Sequence, residues 1–214
     1  MRIVAISDTH NQQKKIKLPE GDILIHAGDA TSQGSLVEVN SFLVWMGAQP
    51  FLHKIFVAGN HDWLFERNPL LARQMCEDNG VTWLQDQSVI IDGLKFYGSA
   101  YQPEFCNWAF NLPRGPELAE VWSRIPDDTD VLVTHGPVMG ILDELVSANG
   151  VPNGQHVGCH DLADRIKKLN VKVHVCGHIH AAYGMAKVGK TKFYNAALLD
   201  EYYNVANEPW EIEI

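Results

Sequence analysis

Five short runs of β-branched and apolar residues constrain this chain more than any other feature. They are Ile3 to Ser7, Asp22 to Gly28, Lys54 to Gly59, Val131 to Thr134 and Val173 to Gly177. Each is too short for an ordinary helix and is closed by a polar or glycine cluster, the pattern of a strand buried on both faces. Each also closes on groups able to bind a metal: Asp8-Thr-His10, Gly-Asp29, Gly-Asn60-His61-Asp62, His135-Gly and Gly-His178-Ile-His180. In open α/β sheets, ligands bind beyond the carboxyl ends of the strands. Donors scattered between positions 8 and 180 can therefore meet in one site.

The segments between the strands carry helical spacing of apolar residues. Helices are expected over Leu36 to Gly47, Pro69 to Asn79, Pro116 to Arg124 and Cys159 to Leu169. Strands alternating with helices predict α/β layers. Two hairpins are expected, Ser88 to Gly98 turning at Asp92-Gly93 and Tyr183 to Ala196 turning near Gly189; Trp210 to Ile214 reads as an edge strand. Gly98 to Gly115 is the longest stretch without periodicity and holds Tyr101, Phe105, Trp108 and Phe110. It reads as a covering loop or as the wall of a pocket that stacks on a ring. At 214 residues, with 46% hydrophobic and 20% charged residues, one domain spanning 1–214 is expected.

Taken singly, the donors carry little weight, because an aspartate after a strand ordinarily caps or turns the chain and a lone histidine is ordinarily a satisfied core residue. Recurrence at five strand ends is what points to a site. Within Asp8-x-His10 and His178-x-His180, the second side chain returns to the same face of an extended segment, so both can reach one ion. Imidazole nitrogen mixed with carboxylate and amide oxygen, without cysteine, suits manganese, iron, zinc, nickel or cobalt rather than calcium. Manganese is the leading expectation. Seven donors exceed one tetrahedral set and suit two divalent ions sharing a bridging carboxylate.

The motifs D-x-H, G-D, G-N-H-D, H-G and G-H-x-H, in this order, resemble the signature of the calcineurin-like metallophosphoesterases. The resemblance extends to the brain-expressed metallophosphodiesterase subgroup and its bacterial relatives through Ile23 to Asp29, Phe110 to Gly115, His156 to Cys159 and His174 to His180. It implies a four-layer fold, two packed mixed β-sheets flanked by helices, with a dinuclear metal site at the carboxyl ends of the strands. One ion would be held by Asp8, His10, Asp29 and His180 and the other by Asp29, Asn60, His135 and His178. It further implies hydrolysis of small phosphodiesters, cyclic nucleotides or similar nucleotide-like esters, by attack of a metal-bridging hydroxide. A phosphomonoesterase or nucleotide pyrophosphatase is the alternative with the same centre, and a catalytically silent scaffold is a third reading that the complete donor set opposes. His61, Asn60 and Asp29 form the expected catalytic group, His61 facing the substrate to protonate the departing oxygen and Asp62 orienting it. Arg114, Trp108 and His156 are candidate substrate contacts, whereas His26, His53 and His174 read as structural.

A formal net charge of −9 disfavours stable binding to nucleic acid, which needs clustered Lys and Arg. Cys76, Cys106, Cys159 and Cys176 lack CxxC spacing and read as reduced thiols in a cytoplasmic protein. No signal-peptide core follows Met1-Arg2, and no run approaches the roughly 18 apolar residues of a membrane span. The partner expected is a small phosphate ester, and the oligomeric state stays open.

Overall fold

The strands form where the β-branched runs predict them. In the computed structural model, which describes residues 1–147 and 150–214, the chain opens with β1 (Arg2–Ile6), β2 (Ile23–His26), α1 (Leu36–Gly47) and β3 (His53–Phe56). A short α2 (Trp63–Arg67) leads to α3 (Pro69–Asp78), β4 (Thr82–Trp83), β5 (Gln87–Ile91) and β6 (Leu94–Ser99). Two-residue strands β7 (Gln102–Pro103) and β8 (Asn111–Leu112) precede α4 (Pro116–Ser123) and β9 (Val131–Thr134). There follow β10 (Glu144–Val146), β11 (Pro152–His156), α5 (His160–Ile166) and β12 (Val173–Cys176). The chain then runs through β13 (Gly184–Val188), β14 (Thr191–Asn195) and β15 (Trp210–Glu213).

One mixed sheet has the order β15-β1-β2-β3-β4, with β1 to β4 parallel and β15 antiparallel on the edge. The other has the order β13-β14-β12-β9-β6-β5, in which β6, β9, β12 and β14 are parallel and the two expected hairpins supply the edges. A parallel bridge from Ser7 to Ala197 ties the sheets together beside the donor-bearing loops. Alternation along the strands builds the layers. Val131 and Val133 enter the core between the sheets, while Leu132 enters an outer cluster with Leu118, Trp122 and Leu162 from α4 and α5. Phe96 and Tyr97 divide in the same way. On the far side, α1 buries Val39, Phe42, Leu43 and Met46, and Phe42 packs on His26 and Phe56 of the first sheet. The four-layer α/β arrangement is thus in place.

Local chemistry sets the helix ends. At the start of α1, Ser35 and Glu38 form a reciprocal capping box, and at α3, Pro69 occupies the first turn while the Asn68 side chain accepts from Leu71 N–H. The expected helix over Cys159 to Leu169 is shorter, because Lys168 and Leu169 N–H turn back to carbonyls three residues earlier and tighten its end. No helix among the described residues is long and apolar enough to cross a membrane.

Candidate metal centre

The carboxyl ends of β1, β2, β3, β9 and β12 lie together, and the backbone just beyond them leaves the extended conformation abruptly. Asp8 (φ 55°), His10 (φ 39°), Asp29 (φ 52°) and His178 (φ 70°) all occupy the left-handed region, at a cost of roughly 1–2 kcal/mol for a residue with a Cβ. Such strain persists only where neighbours fix it. Here Asp8 N–H donates to Gly28 O (2.9 Å), His10 N–H to Asp29 O (3.1 Å) and His178 N–H to both Asp8 carboxylate oxygens (3.1 and 3.0 Å). The glycines of the motifs have a steric cause. A Cβ on Gly177 would lie 2.1 Å from Asp8 Oδ2 and from Ser7 Oγ, and one on Gly28 would lie 2.4 Å from His135 Nδ1.

Asp29 sits at the middle of the donors. Its Oδ2 is 3.3 Å from His135 Nε2, 3.8 Å from His10 Nε2 and 3.9 Å from His61 Nε2, while Oδ1 accepts from His61 N–H at 2.8 Å. Asp8 Oδ1 lies 3.4 Å from His180 Nε2, and Asn60 Oδ1 lies 2.9 Å from His135 Nε2. Three groups able to hold a cation follow: Asp8 with His10 and His180, Asp29 with His135 and His178, and His10 with Asp29 and His61. The first contains three residues of one half that the resemblance implies and the second three of the other, with Asp29 in the second and third groups. The third adds His61 to the donors around that carboxylate.

The ring orientations bear on what these groups hold. His10, His61, His135 and His180 each place Nδ1 against a backbone carbonyl, of Thr31 (3.2 Å), Ser32 (2.7 Å), Ala27 (2.9 Å) and Asp200 (2.9 Å). A carbonyl only accepts, so Nδ1 carries the hydrogen and Nε2 is turned toward Asp8 and Asp29. An Nε2 facing a carboxylate calls for positive charge between them, supplied by a proton on the imidazole or, in its place, a bound cation. Consistent with that demand, burial opposes ionisation of Asp8 and Asp29, yet the surrounding histidines hold both well below the usual carboxylate range. Burial likewise opposes charge on His135 and His180, yet Asp29 and Asp8 draw them up to about 9. His10 Nε2 is buried without any hydrogen-bond partner. This mixed oxygen and nitrogen set, with an orphaned nitrogen inside it, fits divalent cations.

Two buried residues brace the donors. Asp62 accepts from Gly59 N–H (2.8 Å), Thr31 N–H (3.0 Å) and Thr31 Oγ1–H (2.7 Å), clamping the loops after β2 and β3 to each other. Burial, with Asp29 nearby, pushes its carboxyl up to about 6. It does not orient the His61 ring, as the sequence suggested; the Ser32 carbonyl does. His26, pushed by burial down to about 3, accepts from Gly28 N–H at Nδ1 and so carries its hydrogen on Nε2, which donates to Thr9 Oγ1 at 3.0 Å. His174 is buried against Thr134 and Phe193, and His53 opens β3.

Aromatic rings surround the donors. Trp108 lies over His61 with centroids 4.1 Å apart, and Phe105 packs on His178 at 4.9 Å, so the segment between Gly98 and Gly115 does supply a wall. Tyr203 packs against His10 at 4.9 Å and His180 at 5.3 Å. Sequence reasoning misses Tyr203, since its segment has no period. Beside His178 and His180 opens a cavity of about 480 Å³ whose wall includes Gln102, Phe105, Arg114 and Tyr203. Arg114 gives two nitrogens to the carbonyls of Gly158 and Val157, both at 2.7 Å. His156, half exposed, donates from Nδ1 to the buried Asp143 at 2.6 Å, and that hydrogen bond raises its pKa.

Residues 1–182 match the family model of the calcineurin-like phosphoesterases. Over its whole length the chain is 37% identical to metallophosphoesterase domain-containing protein 1 of Homo sapiens, covering 71% of that protein. A Caenorhabditis elegans protein is 35% identical over 98% of this chain and 73% of its own length. Among solved structures, a Thermus thermophilus protein shares the fold with a TM-score of 0.58 and 12% identity, over 91% of this chain and 88% of that one.

Proposed function

The chain belongs to the calcineurin-like phosphoesterase family, and from that premise we propose that it hydrolyses small phosphodiesters, cyclic nucleotides or similar nucleotide-like esters, at a centre of two divalent cations. Asp8, His10, Asp29 and His180 would hold one ion and Asp29, Asn60, His135 and His178 the other, with manganese the first choice. The observation that carries this reading is the set of fixed imidazoles, each giving its Nδ1 hydrogen to a backbone carbonyl and turning Nε2 onto Asp8 or Asp29. When bound, such ions supply Lewis acidity and positive charge where a phosphoryl group sits.

The chain's own residues divide the remaining work. His135 and His10 side chains are 0% and 3% exposed, whereas His61 is 14% exposed, so His61 is the one of these three that a substrate can reach. With Nδ1 held by Ser32, a protonated His61 presents Nε2–H to a departing ester oxygen. Trp108 over its face pins the ring and covers it from water. Trp108 is the best supported of the three candidate substrate contacts, because Arg114 and His156 already engage Val157, Gly158 and Asp143. Residues 1–214 would act as one domain, and four unpaired cysteines support a reducing compartment such as the cytoplasm.

The test is turnover of bis(4-nitrophenyl) phosphate and of 4-nitrophenyl phosphate by chelator-treated protein resupplied with manganese, nickel, cobalt or zinc. The diester is expected to be the better substrate in at least one metal. Preference for the monoester would shift the reading to a phosphomonoesterase, and no turnover with any metal would indicate a silent scaffold.

A further inference from the structure

Three side chains on the cavity beside His178 and His180, Gln102, Glu104 and Glu201, present hydrogen-bond acceptors, and this bears on what can enter. Gln102 lines the cavity and is only 1% exposed, yet its Oε1 has no partner. The amide orientation follows from its neighbour. Asn111 Nδ2 donates to the Phe105 carbonyl at 2.8 Å, so Asn111 Oδ1 is an acceptor, and Gln102 Nε2 donates to it at 3.4 Å. Gln102 Oε1 is left over, on the side of Gly136, another residue of the same wall. A buried acceptor without a donor is costly and calls for a ligand N–H or O–H.

Two carboxylates stand on the same cavity. Glu201 is fixed there by accepting from Ala181 N–H at 2.9 Å, and Glu104 is placed by its N–H donating to Leu112 O at 2.8 Å. Arg114 is the one Lys or Arg among the lining residues; two of its nitrogens are held by carbonyls of the wall, and its single positive charge is outnumbered by the two carboxylates. Two aromatic rings complete the cavity, Phe105 at 37% exposure and Tyr203 at 48%. Neither is free to fold away, since Phe105 rests on His178 and Tyr203 on His10 and His180. Tyr203 has a left-handed backbone (φ 62°), held by its N–H donating to Asp200 O and by Gln12 Nε2 donating to its carbonyl.

We infer that this cavity is the subsite for the organic group carried on the phosphate, and that it selects a planar, hydrogen-bond-donating, nucleoside-like group bearing no further negative charge. The inference rests on the phosphoesterase reading above and sharpens it. Rings offer stacking faces, Gln102 and the glutamates take donors, and a second phosphate meets a wall whose two carboxylates outnumber its one guanidinium. A nucleotide pyrophosphate is therefore a poor fit and a singly charged nucleoside diester a good one.

The experiment compares thymidine 5′-(4-nitrophenyl phosphate) with its 3′-phosphorylated counterpart, which releases the same chromophore, using the manganese-loaded chain. The expected kcat/KM is at least about tenfold higher for the first, from charge repulsion alone. In the double variant Glu104→Gln, Glu201→Gln the gap is expected to close to within about threefold. Equal turnover of the two esters, or a gap that the double variant leaves unchanged, overturns the proposal. Absence of turnover for bis(4-nitrophenyl) phosphate as well would instead mark failure of the phosphoesterase reading. In that event, calorimetry with adenosine decides the subsite. Binding that weakens at least about fivefold in Tyr203→Ala supports it, and no binding to the unaltered chain overturns it.

Discussion

The floor of the site and its wall are built in opposite ways. The floor is a ring of donors at the ends of buried strands: Asp8, Asp29, Asn60 and His135 are each at most 2% exposed, and every one is tied to a second strand loop. The wall is made of the two-residue strands β7 and β8, the β10–β11 ribbon and the turn around Tyr203, with Glu104, Phe105, Glu201 and Tyr203 all exposed. Rigid packing therefore fixes the chemistry, while short surface segments decide what reaches it. One floor can serve several phosphate esters if the wall changes.

Substitutions sharpen this contrast. Replacing Asp29 by Ala removes the carboxylate shared by His10, His61 and His135, and is expected to lower metal content to below one ion per chain and activity at least about a thousandfold. Metal analysis beside a diesterase assay checks both; retained metal would break the account of the floor. Next in size, His61→Ala is expected to keep metal near normal while turnover falls roughly a hundredfold or more. Unaltered turnover would remove His61 from its role.

Smaller effects separate packing from recognition. Gly177→Ala forces a Cβ against Asp8 and Ser7, so thermal unfolding should move down, in line with overpacking of about 1–3 kcal/mol. Tyr203→Ala is expected to leave the unfolding midpoint within about 2 °C and to raise KM for a nucleoside diester roughly three- to tenfold. If instead Tyr203→Ala unfolds the chain, the wall is part of the floor's support and the contrast fails.

The floor is legible in the sequence because its determinants are local and repeated: a β-branched run, a glycine and a donor recur along the chain, and helix α1 begins and ends as its periodicity predicts. The wall is not. Strands of two residues, such as Gln102–Pro103 and Asn111–Leu112, have no period to detect. Helix Trp63–Arg67 is a little over one turn long. Tyr203 reaches the site through a left-handed backbone and a hydrogen bond from Gln12, a contact that joins distant parts of the chain. Asp62 is visible as a motif residue, yet its partners Thr31 and Gly59 lie on two separate loops that only the packed sheets bring together.

Anomalous diffraction from crystals grown with manganese tests the pairing of donors most directly. The expected map has two peaks per chain, one among Asp8, His10 and His180 and one among Asn60, His135 and His178, with Asp29 reaching both. A single peak, or peaks away from these side chains, would contradict the dinuclear centre.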